Sequence, residues 1–61
     1  MLFRSIAAIR QGDPRFRAIP ITVTGSRVTV QQGAAPDPVI RELLSRLRRL
    51  PGVTEVELAS P

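Results

Sequence analysis

Ile19-Pro20-Ile21-Thr22-Val23-Thr24-Gly25-Ser26-Arg27-Val28-Thr29-Val30-Gln31 is the stretch that decides the fold. Apolar residues recur at every second position on both sides of Gly25-Ser26, the period of a half-buried strand. Two such runs separated by two residues read as a β-hairpin, and glycine in the first central position fits a type II′ turn. In that register Val23 faces Val28 and Ile21 faces Val30 on one side, while Thr22 faces Thr29 on the other. One face is apolar and the other polar, as in a sheet covered on a single side. Pro20 falls opposite Gln31 at a hydrogen-bonded position and has no N–H to give, so the ladder is expected to fray there.

Downstream, Gln32-Gly33-Ala34-Ala35-Pro36 reads as a loop. Asp37-Pro38 then opens a helix, with an oxygen acceptor at the N-cap and proline at the first helical position. At 100° per residue, Val39, Ile40, Leu43, Leu44, Leu47 and Leu50 fill an arc of about 140°. Arg41, Glu42, Ser45, Arg46, Arg48 and Arg49 occupy the rest, and Glu42 is spaced to pair with Arg46 at i, i+4. Pro51-Gly52 stops this helix. Val53–Leu58 follows as a third strand, with Val56 and Leu58 on one face and Glu55 and Glu57 on the other.

Upstream, Leu2, Ile6 and Ile9 form one apolar stripe of a short helix. Gly12 is expected as its left-handed cap, with Asp13-Pro14 preventing continuation. Arg15-Phe16-Arg17 reads as a connecting segment whose Phe16 tucks under the first helix. The arginine-flanked aromatic also fits a membrane or nucleic-acid contact.

The element order is therefore α-β-β-α-β over a single domain spanning residues 1–61. Three strands with one apolar face need a cover, and two helices with one apolar stripe each supply it. The expected class is α+β: a two-layer α/β sandwich with a three-stranded sheet and both helices on one face. The second strand, second helix and third strand should form a right-handed crossover.

Composition narrows the function. Sixty-one residues make one small core, and a core of that size supplies no more than roughly 3–5 kcal/mol. There is no cysteine, histidine, tyrosine or tryptophan, and every basic residue is an arginine. Disulfides, thiolate metal sites, imidazole bases and Schiff-base amines are thereby removed. The expectation is a protein that is not an enzyme, with no cofactor, no metal and no catalytic residue. Ser5, Ser26, Ser45 and Ser60 lack a base to activate them. Asp13 and Asp37 read as turn and cap residues, because calcium requires six to eight oxygens.

Nine arginines against five acids leave a formal charge of +4, which favours anionic partners. Nucleic acid is disfavoured: there is no G-x-x-G loop of the KH type, and Phe3 and Phe16 lie outside the strands, where they form no stacking platform. No apolar run approaches the ~20 residues of a membrane span. Arg4 and Ser5 interrupt the first apolar stretch, so residues 1–10 read as the opening helix and not as a secretory signal. Any export signal is expected upstream in a longer parent chain, or not at all.

The pattern resembles the BON domain, a small α-β-β-α-β module of bacterial cell-envelope proteins. The resemblance runs from Leu2 to Leu58. It rests on the opening helix leaving through Gly12-Asp13-Pro14, on the hairpin Ile19-Pro20-Ile21-Thr22-Val23 with Val28-Thr29-Val30-Gln31-Gln32-Gly33, and on Leu50-Pro51-Gly52-Val53-Thr54-Glu55-Val56 leading into the last strand. The family carries no catalytic constellation. What the resemblance implies is attachment: association with phospholipid surfaces, or subunit packing as in the similar ring-building domains of secretion-system basal bodies. It also implies the cell envelope or periplasm as the compartment, and with no signal peptide visible here the cytoplasm stays open.

Two interaction surfaces follow. Arg41, Arg48 and Arg49 share the outer side of the second helix and are candidates to meet the Glu55/Glu57 face of a second copy or of another envelope protein, a head-to-tail contact. Glu55 and Glu57 otherwise partner Arg27. The alternative is an anionic phospholipid surface held by Arg4, Arg10, Arg41, Arg48 and Arg49.

Overall fold

The structure, a computed structural model, describes residues 2–60, and the backbone only of Leu2 and Phe3. The elements are α1 (Leu2–Gly12), α2 (Pro14–Arg17), β1 (Ile21–Thr24), β2 (Arg27–Gln31), α3 (Asp37–Arg48) and β3 (Glu55–Ala59). The strands form one sheet in the order β1-β2-β3, with β1 and β2 antiparallel and β2 and β3 parallel. This is the expected α+β sandwich, with a short extra helix between the opening helix and the hairpin.

The hairpin register is the one the alternation predicts: Ile21 opposite Val30, Thr22 opposite Thr29, and Val23 opposite Val28. Gly25 has φ +60, while among the described residues none other than glycine has a positive φ. A positive φ at the first central position alone is the type II′ pattern. Pro20 stands just before β1 and takes part as an acceptor, its carbonyl receiving the Gln31 N–H at 3.0 Å. Ile19 is likewise outside the strand, yet it is fully buried.

A continuous core joins the layers. Ile6 from α1, Phe16 from α2, Ile19, Val28 and Val30 from the hairpin, and Ile40, Leu43, Leu44 and Leu47 from α3 form one buried cluster. The sheet contributes from one side only: along β2, Val28 and Val30 are enclosed while Arg27 is exposed. All helices therefore lie on the same face. The α1 stripe is represented by Ile6 and Ile9, and the Leu2 side chain lies outside the described residues. The parallel pairing of β3 follows from the strand–helix–strand connection through α3, which returns the chain to the same end of the sheet.

Three local expectations are corrected. Gly12 is the last helical residue of α1 and does not adopt a positive φ, so it is not a left-handed cap. Extended Asp13 (φ −138, ψ 112) makes the break instead. Arg15-Phe16-Arg17 is a single helical turn rather than an irregular connection. Asp13 is its N-cap, accepting the Arg15 N–H at 3.0 Å, with Pro14 opening the turn. At the other Asp-Pro pair the roles shift by one residue. Pro36 occupies the N-cap of α3, and its carbonyl accepts the Val39 and Ile40 N–H groups at 3.0 and 3.1 Å. Asp37 thus sits inside the first turn, where its carboxylate favours the helix dipole but caps nothing.

Leu47 is fully enclosed in this core. Leu47→Ala is expected to cost about 2–5 kcal/mol, comparable to all the stability such a domain holds. Urea denaturation followed by circular dichroism should show the variant largely unfolded in buffer. A wild-type midpoint would refute the packing of α3.

Candidate functional site

The arginines divide into those the fold uses and those it leaves free. Arg15, on α2, is the most engaged. Its guanidinium contacts the Asp13 carboxylate (Nη2–Oδ2 2.6 Å, with Nε 3.0 and 3.1 Å from the two oxygens) and Glu42 on α3 (Nη2–Oε2 2.5 Å). Glu42 does lie near Arg46, but at 3.8 Å: the tertiary partner holds the carboxylate more closely than the i, i+4 neighbour. Arg15 and Arg46 both lie against the Phe16 ring, their Cζ atoms 5.5 and 5.7 Å from its centroid. Phe16 is fully buried beneath them. The aromatic flanked by arginines is therefore core, closed by a cationic lid, and not an exposed ring offered to a membrane or nucleic acid.

Arg10 and Arg17 tie the short helices together. Arg10 Nη2 donates to the Arg17 carbonyl at 2.9 Å, and Arg17 Nη2 donates to the Gln11 carbonyl at 3.2 Å. Arg10 is half-buried, and its Nε has no acceptor. Arg27, on β2, lies 3.1 Å from Glu55 and 3.9 Å from Glu57 on the sheet face that no helix covers.

Arg4, Arg41, Arg48 and Arg49 remain. All are exposed, and none makes an ion pair or hydrogen bond through its guanidinium among the described residues. Arg41 lines a cleft with Gln32, Asp37, Ile40 and Leu58. Arg48 lines a second cleft with Val53, Thr54, Glu55 and Val56. Both arginines thus stand on the flank of α3 that overhangs β3. Arg49 lies just past the last turn as the C-cap residue. The structure sets Arg41 and Arg48 in separate clefts towards the two ends of β3, keeps Arg49 at the C-cap of α3, and places Glu57 with Arg27. Arg4 and Arg10 are on α1, apart from this group.

Leu58 is the feature that residue-type reasoning did not single out. It lies on the helix side of the sheet opposite Val30, in the cleft with Ile40 and Arg41 of α3, and 43% of it is exposed. Its position on an edge strand carries no sequence signal, since strand order is a tertiary property. Among the described residues no group of His, Cys, Asp and Glu is arranged to hold a metal ion, and no helix is long and apolar enough to cross a membrane. The chain matches no protein-family model, no curated protein and no solved structure.

Among the described residues, charge is perturbed at one place. Hydrogen bonding to Arg15 lowers the Asp13 pKa from 3.8 to about 2, outweighing the opposing effect of desolvation. The same bonds raise the Arg15 pKa. Since the folded value lies below the unfolded one, this interaction contributes fully above about pH 4 and is lost as pH falls through about 2. Asn at position 13 retains the capping oxygen but not the charge. The melting temperatures of wild type and Asp13→Asn should therefore differ near neutral pH and converge as the pH is lowered from 4 towards 2. A gap independent of pH, measured by calorimetry, would show that the ion pair adds nothing.

Proposed function

We propose that this domain is a non-catalytic protein-interaction and assembly module of the bacterial cell envelope, packing against copies of itself or an envelope partner. The observation that carries the reading is the separation of surface charge. Arg41, Arg48 and Arg49 have no side-chain partner among the described residues and belong to the helix layer. Glu55 and Glu57 share the single guanidinium of Arg27 on the bare face of the sheet, leaving one negative charge uncompensated there. Two complementary patches on different faces suit a head-to-tail contact, which closes into a ring or runs on as a filament. The BON-like order of elements supports the same reading and is the sole support for the envelope as compartment.

A second reading, attachment to anionic phospholipid, draws support from Arg4, Arg41, Arg48 and Arg49 being exposed and unpaired. Arg10 contributes less to it, being engaged with the Arg17 carbonyl. Flotation with anionic vesicles that collapses on adding salt would favour this reading.

Sedimentation velocity at low ionic strength tests assembly. Wild type should shift to larger species as concentration rises. Arg48→Glu with Arg49→Glu should remain monomeric, and adding Glu55→Arg with Glu57→Arg should restore association by exchanging the two signs. A wild-type monomer at every concentration defeats the self-assembly form of the proposal.

A further inference from the structure

β3 is bonded on one side only. Its ladder with β2 continues at both ends, through the Thr54 N–H to the Ser26 carbonyl at 3.0 Å and the Gln32 N–H to the Ala59 carbonyl at 2.9 Å. Its other side is the sheet edge. An edge strand turns alternate N–H and C=O groups outward, ready to pair with another extended chain. Leu58 is exposed at that edge, Val56 is half-buried beside it, and Arg41 and Arg48 overhang it without partners.

We propose that the β3 edge captures an extended protein segment as a fourth strand, selecting one that carries carboxylates at positions i and i+4 and an apolar residue at i+2. This deepens the interaction-module reading and rests on it. The spacing comes from geometry. Arg41 and Arg48 are seven residues apart on one helix, about 10 Å of rise at ~1.5 Å per residue. Positions i and i+4 of an added strand share its helix side and lie about 13 Å apart at ~3.3 Å per residue, within reach of two flexible arginines. Position i+2 then rests beside Val56 and Leu58. Positions i+1 and i+3 project to the other side, next to Glu55 and Glu57, where acids are repelled. A one-residue slip would move both carboxylates onto that acidic side, so charge sets the register.

The same charges speak against a second copy as the occupant of this edge. Antiparallel pairing of two β3 strands about a two-fold axis would set the Glu55/Glu57 rows side by side and bring the two Arg41/Arg48 flanks together, both unfavourable. The opposite edge, β1, borders an apolar groove with Ile6, Ala7 and Arg10, but that groove holds a single arginine, already tied through Nη2 to the Arg17 carbonyl, and one cation cannot select a pair of carboxylates.

The test is a titration of the isotopically labelled full chain with the blocked peptide Thr-Glu-Thr-Val-Thr-Glu-Thr, followed by NMR. Amide shifts are expected along 54–59, with the side chains of Leu58, Arg41 and Arg48. Placing the two glutamates next to each other in a peptide of the same composition should weaken binding roughly tenfold, as should Arg41→Glu or Arg48→Glu in the protein. Arg41 and Arg48 are exposed, so these variants should melt like wild type. Glu55→Gln with Glu57→Gln separates this inference from head-to-tail assembly: it should abolish association between copies and leave peptide binding intact. Equal binding of both peptides, or shifts confined to α1 and β1, overturns the strand-capture inference. So do the same shifts produced by anionic phospholipid vesicles but not by the peptide, which assigns the arginines to a membrane.

Discussion

Val28 and Val30 of the middle strand and Leu43 and Leu47 of α3 are buried together in one apolar cluster, and the rest of the domain is arranged around it. Each of the four side chains is fully buried, and burying such a side chain is worth about 1.5–3 kcal/mol. A chain of 61 residues has enough apolar surface to cover one side of its sheet and no more. Burial therefore falls away from the centre: Ile21, Val23 and Val56 on the outer strands are half-covered, and Leu58 is open.

The second fixed point is Phe16. Its ring enters the core from a single helical turn, and a turn that short has no stability of its own. The Asp13 cap, the Pro14 start and the span of Arg15 from Asp13 to Glu42 hold it in place. These ion pairs are exposed, and each adds little on its own. Their effect is positional: they join α2 to α3 and keep two guanidiniums over the ring.

What remains on the surface carries the functional argument. Once Arg15, Arg46 and Arg27 are assigned to carboxylates, and Arg10 and Arg17 to helix-end carbonyls, the arginines left without a partner among the described residues are Arg4 and the α3 group Arg41, Arg48 and Arg49. That group borders the one strand edge where a large apolar side chain is also exposed. The combination of open backbone, apolar contact and unpaired charge suits recognition of another chain.

The sequence by itself determined the hairpin and its register, because alternation of period two and a glycine at the first turn position admit one pairing that buries Val23, Val28, Ile21 and Val30 together. It also determined the buried face of α3, from the spacing of Ile40, Leu43, Leu44 and Leu47. Helix ends were less legible: Gly12 and Asp37 are common capping residues, but the carbonyl of Pro36 and the extended backbone of Asp13 took those roles. Only the tertiary structure decided that β3 lies parallel at an edge, that Arg15 reaches Glu42, and that Arg41 stands beside Leu58 and Arg48 beside Val56. Local periodicity reports which side of an element is apolar, whereas strand order and contacts across the fold arise from packing residues distant in the chain, which no local pattern encodes.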